Sequence, residues 1–375
     1  MPETPPQTQK QIDDLFSELK TLSDAQLGYP TNQCFDYSSL FRFLEFSINN
    51  VGDPFHDSLY RVNSHEIERE VIATFANLMR LSPDETWGYV TSGGTEGNMY
   101  GLYMAREMFP EAVVYFSQDT HYSVRKNLRV LNYRNIMIRS LDNGEIDYED
   151  LRETIRINRH LPVVVMANIG TTMKGAVDDL DKIRDIFDEL AISSSYIHAD
   201  AALSGMILPF VDDPQPYGFD AGIDSIAISG HKMIGSPLPS GVVLTKSDYV
   251  GRVARSIEYV GAMDTTLSGS RNAITPLMLW YAFKQQGLEG FRNIVHESLA
   301  TAEYAVGKFN EHGIPAWRNK NSITVVFRRP TDEVVRKWQM APYENFAHII
   351  TVPNVTRDKI DAAIADCVAN PRTTN

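Results

Sequence analysis

The pattern of apolar and polar positions changes its period near residue 87. Before it, residues 11–24 carry Ile12, Leu15, Phe16 and Leu19 on one stripe, which predicts a helix. After it, short apolar runs alternate with amphipathic helical patterns. The runs occupy residues 88–91, 113–116, 136–138, 163–167, 196–199, 223–228 and 241–244. This alternation predicts an α/β fold with a mostly parallel, seven-stranded sheet covered on both faces by helices.

The pattern also predicts that the chain is divided into three parts. Residues 1–55 form an arm outside the strand–helix alternation, and its aromatic-rich segment 35–50 is expected to pack on another surface, with a homodimer partner as one candidate. Residues 56–275 form the large α/β domain. Residues 276–375 form a small α+β domain, with helical patterns at 276–286, 290–310 and 358–369 and a strand within 317–327.

Composition and charge exclude some classes of function. The chain has 375 residues, 43% of them apolar, and a net charge of −13, which argues against sequence-independent nucleic-acid binding. Cys34 and Cys367 form neither a disulfide framework nor a metal-binding spacing, so we expect a reducing, cytoplasmic location and no metal site. The polar start at residues 1–10 predicts no signal peptide, and no apolar run has the length of a membrane span.

Ligands of mostly parallel sheets bind at the carboxyl ends of the strands, so residues directly after strands are the first candidates for chemistry. The first strand runs into TSGGTEGN at residues 91–98, just before a helix. Glycines at this junction leave backbone N–H groups free at the positive end of the helix, which suits a phosphate. The sequence is neither a Walker loop nor a dinucleotide-binding fingerprint, and a simple tight turn is the alternative.

Three further strands end in candidate residues. His121 follows the second strand and is able to stack on a flat ring or move a proton, although a capping role is equally compatible with its position. Thr171 and Thr172 follow the fourth strand. Asp200 ends the fifth strand, where a carboxylate needs a partner such as a protonated heterocycle nitrogen, or else caps the next turn. Ala202 is small enough to let a ring lie flat.

Lys232 follows the sixth strand, in SGHKMIGS at residues 229–236. Burial lowers the pKa of a lysine and makes its amine a nucleophile for carbonyl groups, whereas an exposed loop lysine would be inert. Phosphate donors, a stacking histidine, a partner for a ring nitrogen and a nucleophilic lysine thus appear in this order along the chain, each at the carboxyl end of a strand. Together they predict pyridoxal 5′-phosphate, held as a Schiff base on Lys232.

At this point the chain resembles a known family, the fold-type I, group II pyridoxal-phosphate amino-acid decarboxylases. The stretches that carry the resemblance are WGYVTSGGTEGN at 87–98, HADAALSGMILPF at 198–210 and SGHKMIGSP at 229–237, and the likeness extends from GYP at 28–30 to WRNKNSITVVF at 317–327. Within the family the chain is most similar to the bacterial histidine decarboxylases. Plant serine decarboxylases share much of the same sequence.

The resemblance implies a role for each site residue. Lys232 would bind the cofactor, Asp200 would pair with the pyridine nitrogen, and His121 and Ala202 would lie on opposite faces of the ring. Tyr259, in a loop, would donate a proton, although an ordinary helix-end tyrosine is the alternative. The implied phosphate ligands are Gly94, Thr95, Ser229 and His231, joined by Ser270 of a second subunit in a homodimer.

The implied activity is decarboxylation of L-histidine to histamine and CO2. Three alternatives stay open: decarboxylation of another amino acid such as serine, an aminotransferase of the same fold, and an inactive relative that serves as a scaffold. Spacing does not reveal which residues read the substrate side chain. Candidates near the mouth of the site are Tyr29, Thr171, Thr172 and Ser322.

Overall fold

The structure is a computed structural model that describes residues 4–257 and 261–372. The helices are α1 (Pro6–Asp24), α2 (His65–Leu78), α3 (Gly94–Met108), α4 (Tyr122–Val130), α5 (Tyr148–Ile157), α6 (Leu180–Glu189), α7 (Ser247–Val250), α8 (Ile274–Glu311), α9 (Asp332–Lys337) and α10 (Arg357–Ala369). Short 3₁₀ helices lie at Ser38–Glu45, Pro83–Glu85, Ser204–Met206, Leu208–Phe210 and Phe219–Ala221.

The strands fall into one large sheet and three smaller ones. They are β1 (Asn49–Val51), β2 (Thr86–Thr91), β3 (Val113–Ser117), β4 (Asn135–Ile138), β5 (Val163–Asn168), β6 (Ser195–Asp200), β7 (Ser225–Ser229), β8 (Gly241–Lys246), β9 (Arg255–Ile257), β10 (Ala262–Asp264), β11 (Ser270–Asn272), β12 (Ala316–Trp317), β13 (Thr324–Arg328), β14 (Ala341–Tyr343) and β15 (Phe346–Ile350).

The large sheet has the order β2-β8-β7-β6-β5-β3-β4. Strands β4, β3, β5, β6 and β7 are parallel, and β8 runs antiparallel to both β7 and β2. All residues of β3, β5 and β7 are buried, as their continuous apolar runs require of strands covered on both faces. The seven predicted strands and the α/β fold are therefore confirmed.

The reversed direction of β8 determines where the lysine loop lies. Gly241, at the start of β8, pairs with Thr91 at the end of β2 and with Ser229 at the end of β7. Residues 230–240 therefore turn back over the carboxyl edge of the sheet instead of crossing it. This loop carries Lys232 and lies beside the loop that follows β2.

The C-terminal part forms an antiparallel sheet of order β12-β13-β15-β14 against α8, and α10 packs on α8. Gly287, with φ 63° and ψ 175°, interrupts α8, and this confirms the predicted break between two helical stretches. Strands β14 and β15 were not predicted from the sequence. The domain boundaries at residues 55 and 275 stay predictions.

The N-terminal arm departs from expectation in one respect. Helix α1 begins at Pro6 rather than at residue 11, because proline fits the first helical position, where its missing N–H has no partner to lose. Its apolar stripe is exposed, and Phe16 reaches 70% exposure. Among the helices of the described ranges, none combines the length and apolar character that a bilayer crossing needs.

Candidate active site

The carboxyl ends of β2, β6 and β7 bring most of the predicted site residues together. A Cβ built on Gly94 would lie 3.1 Å from Ser229 Oγ and 3.7 Å from the Ala202 side chain. A Cβ built on Gly93 would lie 3.7 Å from His231 Cε1. The loop after β2 thus contacts the segments that follow β6 and β7, as the strand order requires.

The loop after β2 provides free backbone donors. Gly93 has φ 142°, a conformation open to glycine, and it turns the chain into α3. Within the described residues, the N–H groups of Gly94 and Thr95 donate to no acceptor, whereas those of Glu96 and Gly97 donate to Gly93 O. Two free N–H groups at the start of a 15-residue helix suit an anion such as phosphate.

Ser229 and His231 border the same loop. Ser229 is buried, and its N–H donates to Ala202 O over 3.1 Å. His231 Nδ1 lies 2.8 Å from Ser240 O, and this contact holds the imidazole across the start of the lysine loop. Burial lowers the pKa of His231, which the hydrogen bond to Ser240 partly opposes.

Lys232 is partly buried, and its amine has no hydrogen bond or ion pair among the described residues. Burial lowers its pKa, and the negative charge of Asp200 opposes that shift. The backbone is held from the arm, because Asn32 N–H donates to Lys232 O over 3.1 Å and Asn32 Nδ2 donates to Met233 O over 2.9 Å. Lys232 is therefore a positioned amine with an increased neutral fraction.

Asp200 is 7% exposed and accepts hydrogen bonds only from neutral donors. Asn98 Nδ2 donates to Oδ2 over 2.7 Å, and Ala202 N–H donates to Oδ1 over 3.1 Å. No lysine, arginine or histidine within the described ranges forms an ion pair with it. A buried carboxylate without a cationic partner suits a positively charged ligand group.

His121 begins α4 at the same edge. Its Nδ1 accepts from Ser123 N–H at 3.3 Å and lies 2.7 Å from Ser123 Oγ, so the other ring nitrogen, Nε2, carries the proton. Burial lowers its pKa; the charge of Asp200 opposes this and that of Lys232 adds to it. The ring is thus neutral near pH 7. His121 caps the start of α4, and it also lies close enough to Asp200 and Lys232 for their charges to affect its pKa.

One predicted residue, Ser270, lies away from this edge of the sheet. Ser270 is exposed on the ribbon formed by β1 and β11, where Asn49 Nδ2 donates to its hydroxyl over 3.1 Å. Among the described residues, no hydrogen bond or ion pair joins it to the lysine loop of its own chain. Tyr259 lies outside the described residues.

The four candidates for substrate contact differ in availability. Tyr29 is half exposed and Thr172 is exposed. The hydroxyl of Thr171 accepts from Ala176 N–H over 3.0 Å, and that of Ser322 accepts from Thr324 N–H over 3.0 Å. The latter two hydroxyls therefore stabilise turns, and all four roles in substrate binding stay predictions.

The chain matches, over residues 47–329, the family described as pyridoxal-dependent decarboxylase conserved domain. It belongs to the pyridoxal-dependent decarboxylase family.

Individual relatives agree with this assignment. The chain is 48% identical to histidine decarboxylase from Mesorhizobium japonicum, over 96% of this chain and 97% of that protein. It is 48% identical to histidine decarboxylase from Acinetobacter baumannii, over 97% and 96%. Among solved structures, L-methionine decarboxylase from Streptomyces sp. 590 has a TM-score of 0.90 at 26% identity, over 99% of this chain and 96% of that one.

The residues of this pyridoxal-dependent decarboxylase fit its cofactor. Pyridoxal phosphate offers a phosphate, an aldehyde and a basic ring nitrogen. Within residues 4–257 and 261–372, the N–H groups of Gly94 and Thr95 are free, the Lys232 amine has no polar partner, and Asp200 has no cationic partner. Each unmatched group of the site thus has a counterpart on the cofactor.

The polar residues beneath the site, Asn98 and His198, were not predicted from the sequence. His198 and Asp200 are two residues apart on β6 and therefore point to the same face, a period-2 signal that was available. Asn98, four residues after Gly94, lies on the same face of α3. Asn32 carries no comparable signal, because its contact with the lysine loop spans 200 residues.

Proposed function

We propose that this chain decarboxylates L-histidine to histamine and CO2, using pyridoxal phosphate on Lys232. The observation that carries the substrate assignment is the 48% identity, over nearly the full length of both chains, to histidine decarboxylases of two bacterial genera. A site with a free amine, an unpaired carboxylate and free anion donors supports the cofactor's placement.

When bound, pyridoxal phosphate supplies an electron sink that accepts the electron pair left on the substrate's Cα as CO2 departs. The protein would have to orient the substrate's carboxyl group relative to the cofactor, so that the cofactor can accept this pair. The residues around the ring therefore act mainly by orientation and by placing charges.

Lys232 would act first. Its lowered pKa increases the neutral, nucleophilic fraction of the amine, so Lys232 would hold the cofactor at its aldehyde group. Asn32 holds the loop backbone at this residue, so the amine returns to one place after each turnover.

The other residues would hold the two ends of the cofactor. The N–H groups of Gly94 and Thr95, with Ser229 and His231, would bind the phosphate. Asp200 would keep the ring nitrogen protonated, and neutral His121 and the Ala202 methyl would lie on opposite faces of the ring. His121 and Tyr259 are the two candidates for delivering a proton to Cα.

A homodimer would complete this site. The exposed stripe on α1, with Phe41, Leu44 and Phe46 on the same arm, is too apolar to remain in water and suits a second copy of the chain. We place Ser270 against the phosphate bound by the partner subunit, since its ribbon is exposed and away from its own lysine loop. A Phe16→Ser variant should shift the mass measured by light scattering toward monomer.

The same proposal includes location and substrate contact. Cys34 and Cys367 are both free, and this supports a cytoplasmic enzyme. Tyr29 and Thr172 present accessible side chains for reading the imidazole, while Thr171 and Ser322 would act by shaping the turns beside it.

The substrate test is a comparison of amino acids. The purified protein, loaded with pyridoxal phosphate, is mixed separately with L-histidine, L-serine and L-methionine, and released CO2 and product amine are measured. We expect kcat/KM to be highest for histidine. Faster turnover of serine or methionine would overturn the histidine assignment, and a keto-acid product would indicate an aminotransferase.

A lysine pair provides the matched control. Lys232→Ala should abolish turnover and the visible absorbance of the bound cofactor. Lys174→Ala, which removes a lysine ion-paired with Asp119, should retain both. Retention of colour and turnover in Lys232→Ala would show that another residue binds the cofactor.

A further inference from the structure

A continuous hydrogen-bonded chain of five buried side chains leads from Asp200 into the core. Asn98 Nδ2 is 2.7 Å from Asp200 Oδ2, and Asn98 Oδ1 is 3.0 Å from His198 Nε2. His198 Nδ1 is 2.6 Å from Ser225 Oγ, which is 2.8 Å from the Tyr196 hydroxyl. Asn98, His198, Ser225 and Tyr196 are each at most 2% exposed.

When Asp200 is ionised, the donors and acceptors of these groups allow this chain of hydrogen bonds only one direction. An ionised carboxylate only accepts, so Asn98 must turn its NH₂ group to Asp200 and its carbonyl oxygen to His198. His198 then donates from Nε2 and accepts at Nδ1 from the Ser225 hydroxyl, which in turn accepts from Tyr196. Burial lowers the pKa of His198 to about 4, against the pull of Asp200, so the ring is neutral near pH 7.

The opposite direction corresponds to a protonated Asp200. In that state the carboxyl group would donate to Asn98 Oδ1, Asn98 would donate to His198 Nε2, and His198 would donate from Nδ1 to Ser225. The direction of the whole chain is therefore coupled to the protonation of Asp200. The Tyr196 hydroxyl donates to Ser225 in either direction, because a serine oxygen can accept two hydrogen bonds, so the direction of the chain is set at its Asp200 end.

The packing of α3 shows that the fold makes room for this histidine. A Cβ on Gly101 would lie 2.0 Å from His198 Nδ1, and a Cβ on Gly97 would lie 2.8 Å from the Ala227 side chain. Both positions need glycine, so that α3 lies directly on β6 and β7. The helix that begins at the phosphate loop therefore also carries Asn98, and it joins the two ends of the cofactor site in one rigid element.

We infer that Asn98 and His198 are positioning residues that hold Asp200 ionised and aimed at the cofactor's ring nitrogen, and so keep that nitrogen protonated. The inference rests on the proposed role of Asp200. Neither residue touches the cofactor; Asn98 acts on Asp200, and His198 acts on Asn98. Loss of the donor would leave Asp200 Oδ2 without its hydrogen bond and free the carboxylate to turn away from the ring nitrogen, which weakens the electron sink.

Two substitutions of His198 test whether the hydrogen bond from its Nε2 to Asn98 is what matters. In His198→Gln the side-chain amide reaches the place of Nε2 and still donates to Asn98. In His198→Asn the shorter amide reaches only the place of Nδ1, so Asn98 loses its partner. We expect His198→Asn to lower kcat by about 10- to 100-fold, with KM little changed, and His198→Gln to restore most of it.

Two spectroscopic measurements test the chain independently of turnover. ¹⁵N spectra of the purified protein, with the nine histidines labelled and His198 assigned from its variants, should show the neutral Nε2–H form from pH 6 to 8. Titration of the cofactor-free protein with pyridoxal phosphate should show weaker binding and a shifted pH dependence of the cofactor's absorbance in His198→Asn, but not in His198→Gln.

The possible outcomes test the positioning role of His198 and the proposed decarboxylase function separately. An Nδ1–H or charged His198 near pH 7, or equal spectra for the two variants, would overturn the positioning role. If His198→Asn fails to fold, Ser225→Ala provides the second test, because the loss of the donor to Nδ1 should shift the same absorbance in the same direction, and an unshifted absorbance would overturn the role. A protein that binds the cofactor but releases no CO2 from any amino acid would instead overturn the proposed function.

Discussion

The carboxylates of Glu68 and Asp200 are both buried, but they differ in what surrounds them. Both oxygens of Glu68 meet the Arg271 guanidinium, and Val90 N–H and Asn50 Nδ2 donate to the remaining positions. Asp200 has only neutral donors and no cation from the described chain. The closed cluster stabilises the fold, and the open one is available for a cationic ligand group.

The two clusters also lie in different parts of the fold. Arg271 belongs to β11 and also donates to Gly52 O, so the ion pair anchors the β1–β11 ribbon that carries Ser270. Asp200 ends β6 at the sheet's carboxyl edge. Removing a charge from each cluster should therefore have opposite consequences for stability and for catalysis.

The largest effect is expected for Glu68→Gln. This change leaves the Arg271 cation buried without its counter-charge, and we expect the free energy of unfolding to fall by about 4 kcal/mol. Urea denaturation of the wild type and the variant measures it. The folded fraction should keep its kcat within a few-fold, and a stable but inactive variant would mean that Glu68 acts in the chemistry.

The converse effect is expected for Asp200→Asn. An amide cannot keep the ring nitrogen protonated, so kcat should fall by roughly 100- to 1000-fold. The melting temperature of the cofactor-free protein should hardly change, because no cation of the chain loses a partner. Steady-state CO2 release and thermal denaturation measure the two quantities, and a large loss of stability with kcat intact would reverse the comparison.

A smaller effect concerns acid stability and the layer beneath Asp200. Folding lowers the pKa of His198 from 6.5 to about 4, so between these values the unfolded chain binds more protons. Acidification from pH 6.5 to 4 should therefore reduce the free energy of unfolding by about 3 kcal/mol through this group. His198→Gln should lack this contribution, so the difference between the two proteins' free energies of unfolding, measured by denaturation at several pH values, should change by about 3 kcal/mol between pH 6.5 and 4. Parallel curves would contradict the assignment of a neutral buried His198.

The smallest expected effect is the coupling energy between Glu68 and Arg271 in the closed cluster. If Glu68 and Arg271 stabilise the fold as a pair, Arg271→Met should cost less in the Glu68→Gln background than in the wild type, with a coupling energy of about 2 kcal/mol. Denaturation of the two single variants and the double variant gives this value. Additive losses would mean that each residue acts through its other partners.

Much of the large domain could be predicted from the sequence because its signals are local. Continuous apolar runs predicted the seven strands, and glycines or polar residues after them predicted where Gly94, His121, Asp200 and Lys232 meet. The reversed direction of β8 was not predictable, since an apolar run has no direction. Strands β14 and β15 were missed because Pro342 and the turn between them interrupt the pattern.

Longer-range features of the site needed the structure. Asn98 and His198 are 100 residues apart, so spacing could not show that they share a hydrogen bond. The hydroxyls of Thr171 and Ser322 looked available for substrate, but each accepts a backbone N–H within its own turn. Ser270 could be placed only through the family resemblance, because the partner subunit that it would serve is another chain.

The position of the covalent bond tests the central claim most directly. The cofactor-loaded protein is reduced with borohydride, digested and mapped by mass spectrometry, which fixes the cofactor to the lysine that binds it. We expect a single modified peptide that contains Lys232, while Lys174, ion-paired with Asp119, remains unmodified. Modification of Lys174 or of any other lysine in place of Lys232, or no modified peptide, would contradict the site described for this enzyme.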